Sequence, residues 1–337
     1  MKKVLSIGEI LLRLTPPSNL KICHSNSFDF CFGGAEANVA VGLSNLGVET
    51  IMLTCLPNND LGKLAKKFLI SNDVDSKHII LKGDRLGLYY YEEGISARKA
   101  KVIYDRKYSS INELRYEDVN IDELLDQVEL IHISGISFAL SKELSNVLTQ
   151  IIDEAKKRGI KISVDLNYRS SLWSSYDDFV ETIKPIVKDS YICFGWLNKD
   201  TSNFKVFDVS TDTVNDDILI DKFKYMTEDL NVKNVVTTLR SGKAYNYHTL
   251  SGVLFDGKEI YKSSKYEFSM VSRIGGGDAF AAGVINGFIK NESPKKIIEF
   301  ATATAVLKQT QIGDVSMSTE RDVLDLIENK NLGSVNR

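Results

Sequence analysis

The sequence is poor in the residues that staple small proteins and build metal sites. Its 337 residues hold four cysteines and four histidines, and no two cysteines form a C-x-x-C pair. The close set Cys23, His24 and Cys31 lacks the grouped spacing of zinc ligands, so free thiols of a reducing compartment are the better reading. No stretch approaches the roughly 18–20 apolar residues that a membrane helix needs. Lys2, Lys3 and Glu9 place charge at the very start, unlike a secretory leader. Charge of one sign is also missing: 42 Lys plus Arg against 45 Asp plus Glu give a formal net charge of −3, with no basic block. Nucleic acid and membrane are demoted as partners, and a cytoplasmic location is expected.

What remains is an ordinary globular composition, 43% hydrophobic and 26% charged. The length suggests about two units, or one large α/β domain with an insertion. Val4–Gly8 reads as a short buried strand, and Leu61, Leu64, Ala65, Phe68 and Leu69 share one helix face. Leu130–Ser134 is a second strand. Leu144, Val147, Leu148, Ile151, Ile152 and Ala155 then mark a helix that Gly159 would close, and Ile160–Asp165 is a strand again. Strand, helix and strand make a βαβ unit, hence a mainly parallel central sheet with helices on both faces. Asn234–Leu239 adds a strand, and helices are expected near 278–289 and 294–308.

Two stretches break the alternation. Residues 12–32 hold Pro16, Pro17 and short apolar bursts, while 86–106 pair Leu86–Glu92 with Ala100–Asp105 around a polar Gly94-Ile95-Ser96. Tyr and β-branched residues in that pattern predict a hairpin. Both stretches are expected to form a small β lid, with 1–11, 33–85 and 107–337 as the α/β core. Unpaired lid edges predict a homodimer through the lid.

The strongest local signal is Arg273-Ile274-Gly275-Gly276-Gly277-Asp278-Ala279-Phe280. Glycines running into a helix N-terminus offer unpaired N–H groups and the positive dipole end, a cradle for phosphate oxygens. No Gly-Lys-Ser/Thr follows, so it is not a Walker loop, and G-x-G-x-x-G fails at Phe280. Asp278 beside such a cradle suits a base that takes a proton from a hydroxyl; an ordinary N-cap is the bland alternative. Gly33-Gly34-Ala35-Glu36-Ala37-Asn38 is a weaker signal of the same kind.

Together the two segments resemble the ribokinase-like sugar kinases. That family's N-terminal signature is met by Gly33, Gly34, Asn38, Gly47 and Gly62, and its Gly-x-Gly-Asp anion hole by Gly275, Gly277 and Asp278. Within the family the chain is most similar to the 2-keto-3-deoxygluconate kinases. That similarity rests on Gly87–Glu92, Tyr104-Asp105-Arg106, Ile133–Ile136, Asp165–Arg169 with Leu172-Trp173, Thr237–Arg240, Ala305–Lys308 and Gly313-Asp314. The resemblance implies ATP and Mg2+ as cosubstrate, Asp278 as base and Gly275, Gly276 and Gly277 as anion hole. It implies a sugar-acid site at Gly33, Gly34, Asn38, Tyr89, Tyr104, Arg106 and Arg169, and nucleotide contacts at Asn198, Thr238, Arg240, Gly275, Gly277 and Lys308. An arginine fork is the natural partner of a substrate carboxylate. Two positions depart from the pattern. Ser272 stands where sugar-acid kinases commonly have Asp, and Asn198-Lys199-Asp200-Thr201 lacks the Glu of an Asn-x-x-Glu motif, which leaves the metal ligands unassigned. The alternatives are a fructokinase- or ribokinase-like enzyme, or a sugar-acid-binding protein without catalysis.

Overall fold

The computed structural model describes residues 2–201, 216–242 and 246–329. In chain order the strands are β1 (Lys3–Ile7), β2 (Leu11–Thr15), β3 (Asp29–Gly33), β4 (Thr50–Leu56), β5 (Ile79–Leu81), β6 (Gly87–Glu92) and β7 (Lys101–Asp105). They continue as β8 (Val128–Ser134), β9 (Lys161–Asp165), β10 (Ile192–Phe194), β11 (Asn234–Gly242), β12 (Tyr247–Phe255), β13 (Ile260–Lys262) and β14 (Tyr266–Ser269). The helices are α1 (Ala35–Asn45), α2 (Asp60–Ser71), α3 (Ile121–Leu124), α4 (Gly135–Phe138) and α5 (Lys142–Lys157). After them come α6 (Tyr176–Val187), α7 (Asp216–Lys224), α8 (Gly276–Ile289), α9 (Pro294–Gln309) and α10 (Glu320–Asn329).

The expected βαβ unit is β8–α5–β9. All six apolar residues read onto one face of α5 are buried. Each contributes about 1.5–3 kcal/mol when a large aliphatic side chain leaves water completely. Ser141 caps the helix by accepting from Leu144 N at 3.2 Å, and Gly159 follows it at φ 73°. The main sheet runs β13-β12-β11-β10-β9-β8-β1-β4-β5, parallel from β5 to β11 and antiparallel beyond, with β14 also on β12. Helices cover both faces: α5, α6 and α7 pack on one, α1, α8 and α9 on the other. A strand buried on both faces carries an apolar run. This also explains His132 in β8, which burial pushes down to about 3 and which meets the Ser163 hydroxyl at 3.0 Å.

The two interrupting stretches form a separate four-stranded sheet, β3-β2-β6-β7. β6 and β7 are the expected hairpin, while β2 lies parallel to β6, a long-range pairing that no local pattern announces. β7 is an edge whose five residues are all exposed, the edge that a dimer through this sheet would use.

The topology fixes where a ligand can sit. The chain leaves β1 toward β4 and β5, then returns through β8, β9, β10 and β11 on the other side. The switch point lies between β1 and β8, and crevices at the carboxyl ends of such strands are the binding sites of open α/β sheets.

Candidate active site

The C-terminal ends of β9, β10 and β11 and the start of α8 enclose a cavity of about 530 Å3, whose wall includes Asp165, Arg169, Asn198, Thr238 and Gly277. Four of the residues singled out in the sequence therefore meet at one place. Gly275 is the N-cap of α8, held left-handed at φ 79°, and the first intrahelical bond runs from Ala279 N to Gly275 O at 2.9 Å. The N–H groups of Gly276, Gly277 and Asp278 precede that bond and point out of the positive helix end. A Cβ at Gly277 would touch nothing within 4 Å, so the loop is open on the cavity side. A Cβ at Gly275 would overlap the carbonyl oxygen of Asp314.

Asp278 stands half-buried in the first turn of α8. Burial pushes its carboxyl up to about 7; Asp165, Asp314 and Glu36 add to the rise, and a hydrogen bond from Asn38 opposes it. That bond runs from Asn38 Nδ2 to Asp278 Oδ2 at 2.7 Å. Asp165 is likewise pushed up by burial, to about 6, with Arg169 drawing it down. A carboxyl with a pKa near neutrality is well placed to accept a proton.

The residues expected at the sugar acid are spread over several surroundings. Gly33 and Gly34 bring backbone close to protein, not to open space: a Cβ at Gly33 would overlap the Asp314 carboxylate, and one at Gly34 the Glu9 carbonyl. Gly34 has φ 140°, so only glycine suits both its conformation and its surroundings. Arg106, expected to hold a substrate carboxylate with its fork, directs Nε and one terminal nitrogen at Glu9 Oε2. The guanidinium also lies over the Tyr104 ring, 5.6 Å from its centroid. Tyr104 is 48% exposed and faces Tyr89 across the sheet with ring centroids 5.8 Å apart. Tyr89 itself is buried and gives its hydroxyl to Asp314. Arg169 is exposed on the cavity wall, with one bond to the Tyr168 carbonyl at 3.2 Å.

Of the residues expected at the nucleotide, Asn198 and Thr238 line the cavity. Arg240, two residues on along β11, is outside its lining; burial pushes it down to about 10, and Arg273 adds to the fall. Lys308, also expected at the nucleotide, has its side chain fully enclosed, next to Gly275 of the glycine loop. Its Cε would lie 3.2 Å from a Cβ at Gly275, and its ammonium faces the Gln311 carbonyl at 3.4 Å. In this conformation it packs against the loop at Gly275. Burial lowers it to about 8.

Asp314 is the residue the motif reading underweighted. It is 2% exposed, and its carboxylate joins Arg13 of β2 at 2.5 Å and Tyr89 of β6. Burial pushes its carboxyl up, while Arg13, Tyr89 and Lys308 pull it back. Its side chain abuts Gly33 and its backbone abuts Gly275, so one residue touches both glycine signatures. The available signal was Gly313-Asp314 itself, a Gly-Asp following an apolar helix, but nothing in the sequence said which partners it would meet. Asp314→Asn would leave the Arg13 charge buried and unmatched. An expected loss of about 3–5 kcal/mol should appear as a lower urea midpoint with an unchanged slope. Glu9 and Glu36 were missed too: Glu36 is fully enclosed, accepts from Ser134 N at 3.0 Å and Ser137 Oγ at 2.6 Å, and is pushed up by burial to about 7.

Among the described residues no group of three or more His, Cys, Asp and Glu is arranged to hold a metal ion, and no helix is long and apolar enough to cross a membrane.

Comparison with known proteins places this geometry. The model of the pfkB family carbohydrate kinases matches residues 1–321. A 2-dehydro-3-deoxygalactonokinase of Haloferax volcanii is 29% identical over 323 residues, covering 95% of each chain. The crystal structure of a 2-dehydro-3-deoxygluconokinase from Thermotoga maritima superposes with a TM-score of 0.91 at 33% identity, covering 98% of this chain and 100% of that one. A pfkB family carbohydrate kinase from Listeria grayi gives 0.87 at 35% identity, covering 97% and 100%.

Proposed function

This chain belongs to the pfkB family of carbohydrate kinases, and we propose that it transfers the γ-phosphoryl group of MgATP to the terminal (6-) hydroxyl of 2-keto-3-deoxy-D-gluconate. The observation that carries this reading is one cavity walled by both Gly277 and Arg169, with Asp278 next to Gly277 in the first turn of α8. The first turn of α8 supplies N–H donors and a positive helix end for the phosphates, and the magnesium enters as the nucleotide's own counter-ion. Asp278 accepts the hydroxyl proton as the oxygen bonds to the γ-phosphorus and the bond to the ADP oxygen breaks. The donors at Gly276 and Gly277 stabilise charge on the group in flight. Little covalent chemistry is asked of the protein, so positioning and exclusion of water do most of the work.

The sugar acid is argued from charge. Arg169 has an exposed guanidinium on the cavity wall, which a carboxylate would fill and a neutral sugar would not. Arg106 is the second candidate, with Glu9 fixing its plane. The two named relatives act on substrates that differ in the configuration of a hydroxyl, which supports the class and leaves both epimers in the test. Initial rates of ADP release should therefore be measured with 2-keto-3-deoxygluconate, its galactonate epimer, fructose, ribose and gluconate. Strong preference for the ketodeoxy acids is expected. Arg169→Ala should raise their KM by about 10–100-fold, the worth of a charged hydrogen bond, and leave a neutral sugar unaffected. Arg106→Ala is the less clean probe, because it also strands the Glu9 charge. Preference for fructose or ribose would discard the carboxylate site, and binding of a sugar acid without any turnover would favour a non-catalytic binding protein.

A further inference from the structure

Asn38, expected at the sugar, also meets the candidate base. It is 4% exposed, and Nδ2 donates to Asp278 Oδ2 at 2.7 Å. The opposite amide orientation would set two acceptors against each other whenever Asp278 is ionised, so this geometry matches a charged carboxylate. Asn38 Oδ1 is enclosed and accepts no hydrogen bond. Leaving a buried acceptor unsatisfied costs about 1–3 kcal/mol. Such local violations are expected where function sets the geometry.

The helices are built to bring the pair together. Gly34, at its glycine-only φ, lets α1 begin against the Glu9 carbonyl, and Asn38 N bonds Gly34 O at 2.7 Å. One turn further along, a Cβ at Gly42 would lie 3.1 Å from Ala282 Cβ of α8. Asn38 precedes Gly42 by four residues, and Asp278 precedes Ala282 by four. Two contacts one turn apart thus hold α1 and α8 side by side in fixed register.

We propose that Asn38 is a positioning residue for the proton-accepting carboxylate: its amide occupies Oδ2 of Asp278 and leaves Oδ1 to take the substrate proton, with Gly42 setting the helix spacing that this needs. The inference rests on Asp278 being the base. The charged and titratable groups that face Asp278 are Asp165 at the end of β9, Asp314 after α9, Glu36 of α1 and Lys308 of α9. Burial and the three acids favour its protonated form, whereas a hydrogen bond to the ionised form favours ionisation. Removing that bond therefore moves proton uptake to higher pH.

The test is the pH profile of kcat for Asn38→Leu and Asn38→Asp, between about pH 5 and 9. In Asn38→Leu the acid limb should move upward, and a rise of about one unit of pKa should lower kcat about fivefold at pH 7 and about tenfold at the acid end. Activity should recover at alkaline pH, with the KM of the sugar acid changing less than kcat. In Asn38→Asp the like charge should move the limb further. Gly42→Ala, which touches neither ligand, should shift it the same way by less, and it keeps the idea testable should Asn38→Leu fail to fold. An unmoved limb, or a raised sugar KM with kcat and limb intact, overturns the proposal. Asp278→Ala separates the two readings: retained turnover there removes the base itself, while lost turnover beside a normal Asn38→Leu profile defeats this inference alone.

Discussion

Asp278→Ala should turn over about 10²–10⁴-fold more slowly than the parent, the span usual for a positioned acid–base group. The same variant should unfold at or above the parental midpoint. A carboxylate facing Asp165, Asp314 and Glu36 is held against its own electrostatics, and removing it relieves that repulsion. Binding of MgATP, followed by calorimetry, should change little, because the phosphates meet the helix end and not the carboxylate. In the parent, kcat/KM should rise as pH climbs through about 7, where Asp278 loses its proton. The sign is fixed by chemistry: only the ionised form can accept the hydroxyl proton. Near-parental rates in Asp278→Ala would remove this residue from the reaction. A stability loss large enough to explain the rate would point to a structural N-cap.

Gly275→Ala is expected to cost about 10²–10³ in kcat, the usual price of displacing a preorganised oxyanion donor. Two independent causes act at this position. The residue sits at φ 79°, where a side chain costs about 1–2 kcal/mol. Its Cβ would also overlap the Asp314 carbonyl, with Lys308 close behind, so the loop must move out of line. The movement should appear in both kcat and the thermal midpoint. Gly277→Ala is the informative contrast, because its φ is ordinary and nothing lies within 4 Å of the added carbon. That variant should fold like the parent. If Gly275→Ala kept full activity, the first turn of α8 would not be an anion hole.

The sequence carried the elements well where physics is local. The α5 face, its Ser141 cap and the Gly159 stop were all readable from spacing and residue type, because they depend on neighbours within a few residues. The glycine run into α8 announced an open helix end for the same reason. The hairpin of β6 and β7 was legible, but the parallel pairing of β2 with β6 was not, since it joins segments separated by two α-helices and three strands.

Partnerships among polar groups were settled only by the assembled structure. Asn38, Arg106 and Lys308 were all assigned to ligands from their motifs. Folding gives Asn38 to Asp278, Arg106 to Glu9, and encloses Lys308 behind Gly275. Asp314 gained its importance by lying between Arg13, Tyr89 and both glycine turns. A polar side chain bonds whatever the fold brings within about 3 Å of it, and spacing along the chain does not encode that distance. The sequence alone determined the α/β alternation, the glycine loop that opens α8 and the carboxylate beside it. The tertiary structure alone decided which charges neutralise one another and which, like Arg169 on the cavity wall, stay open to a substrate.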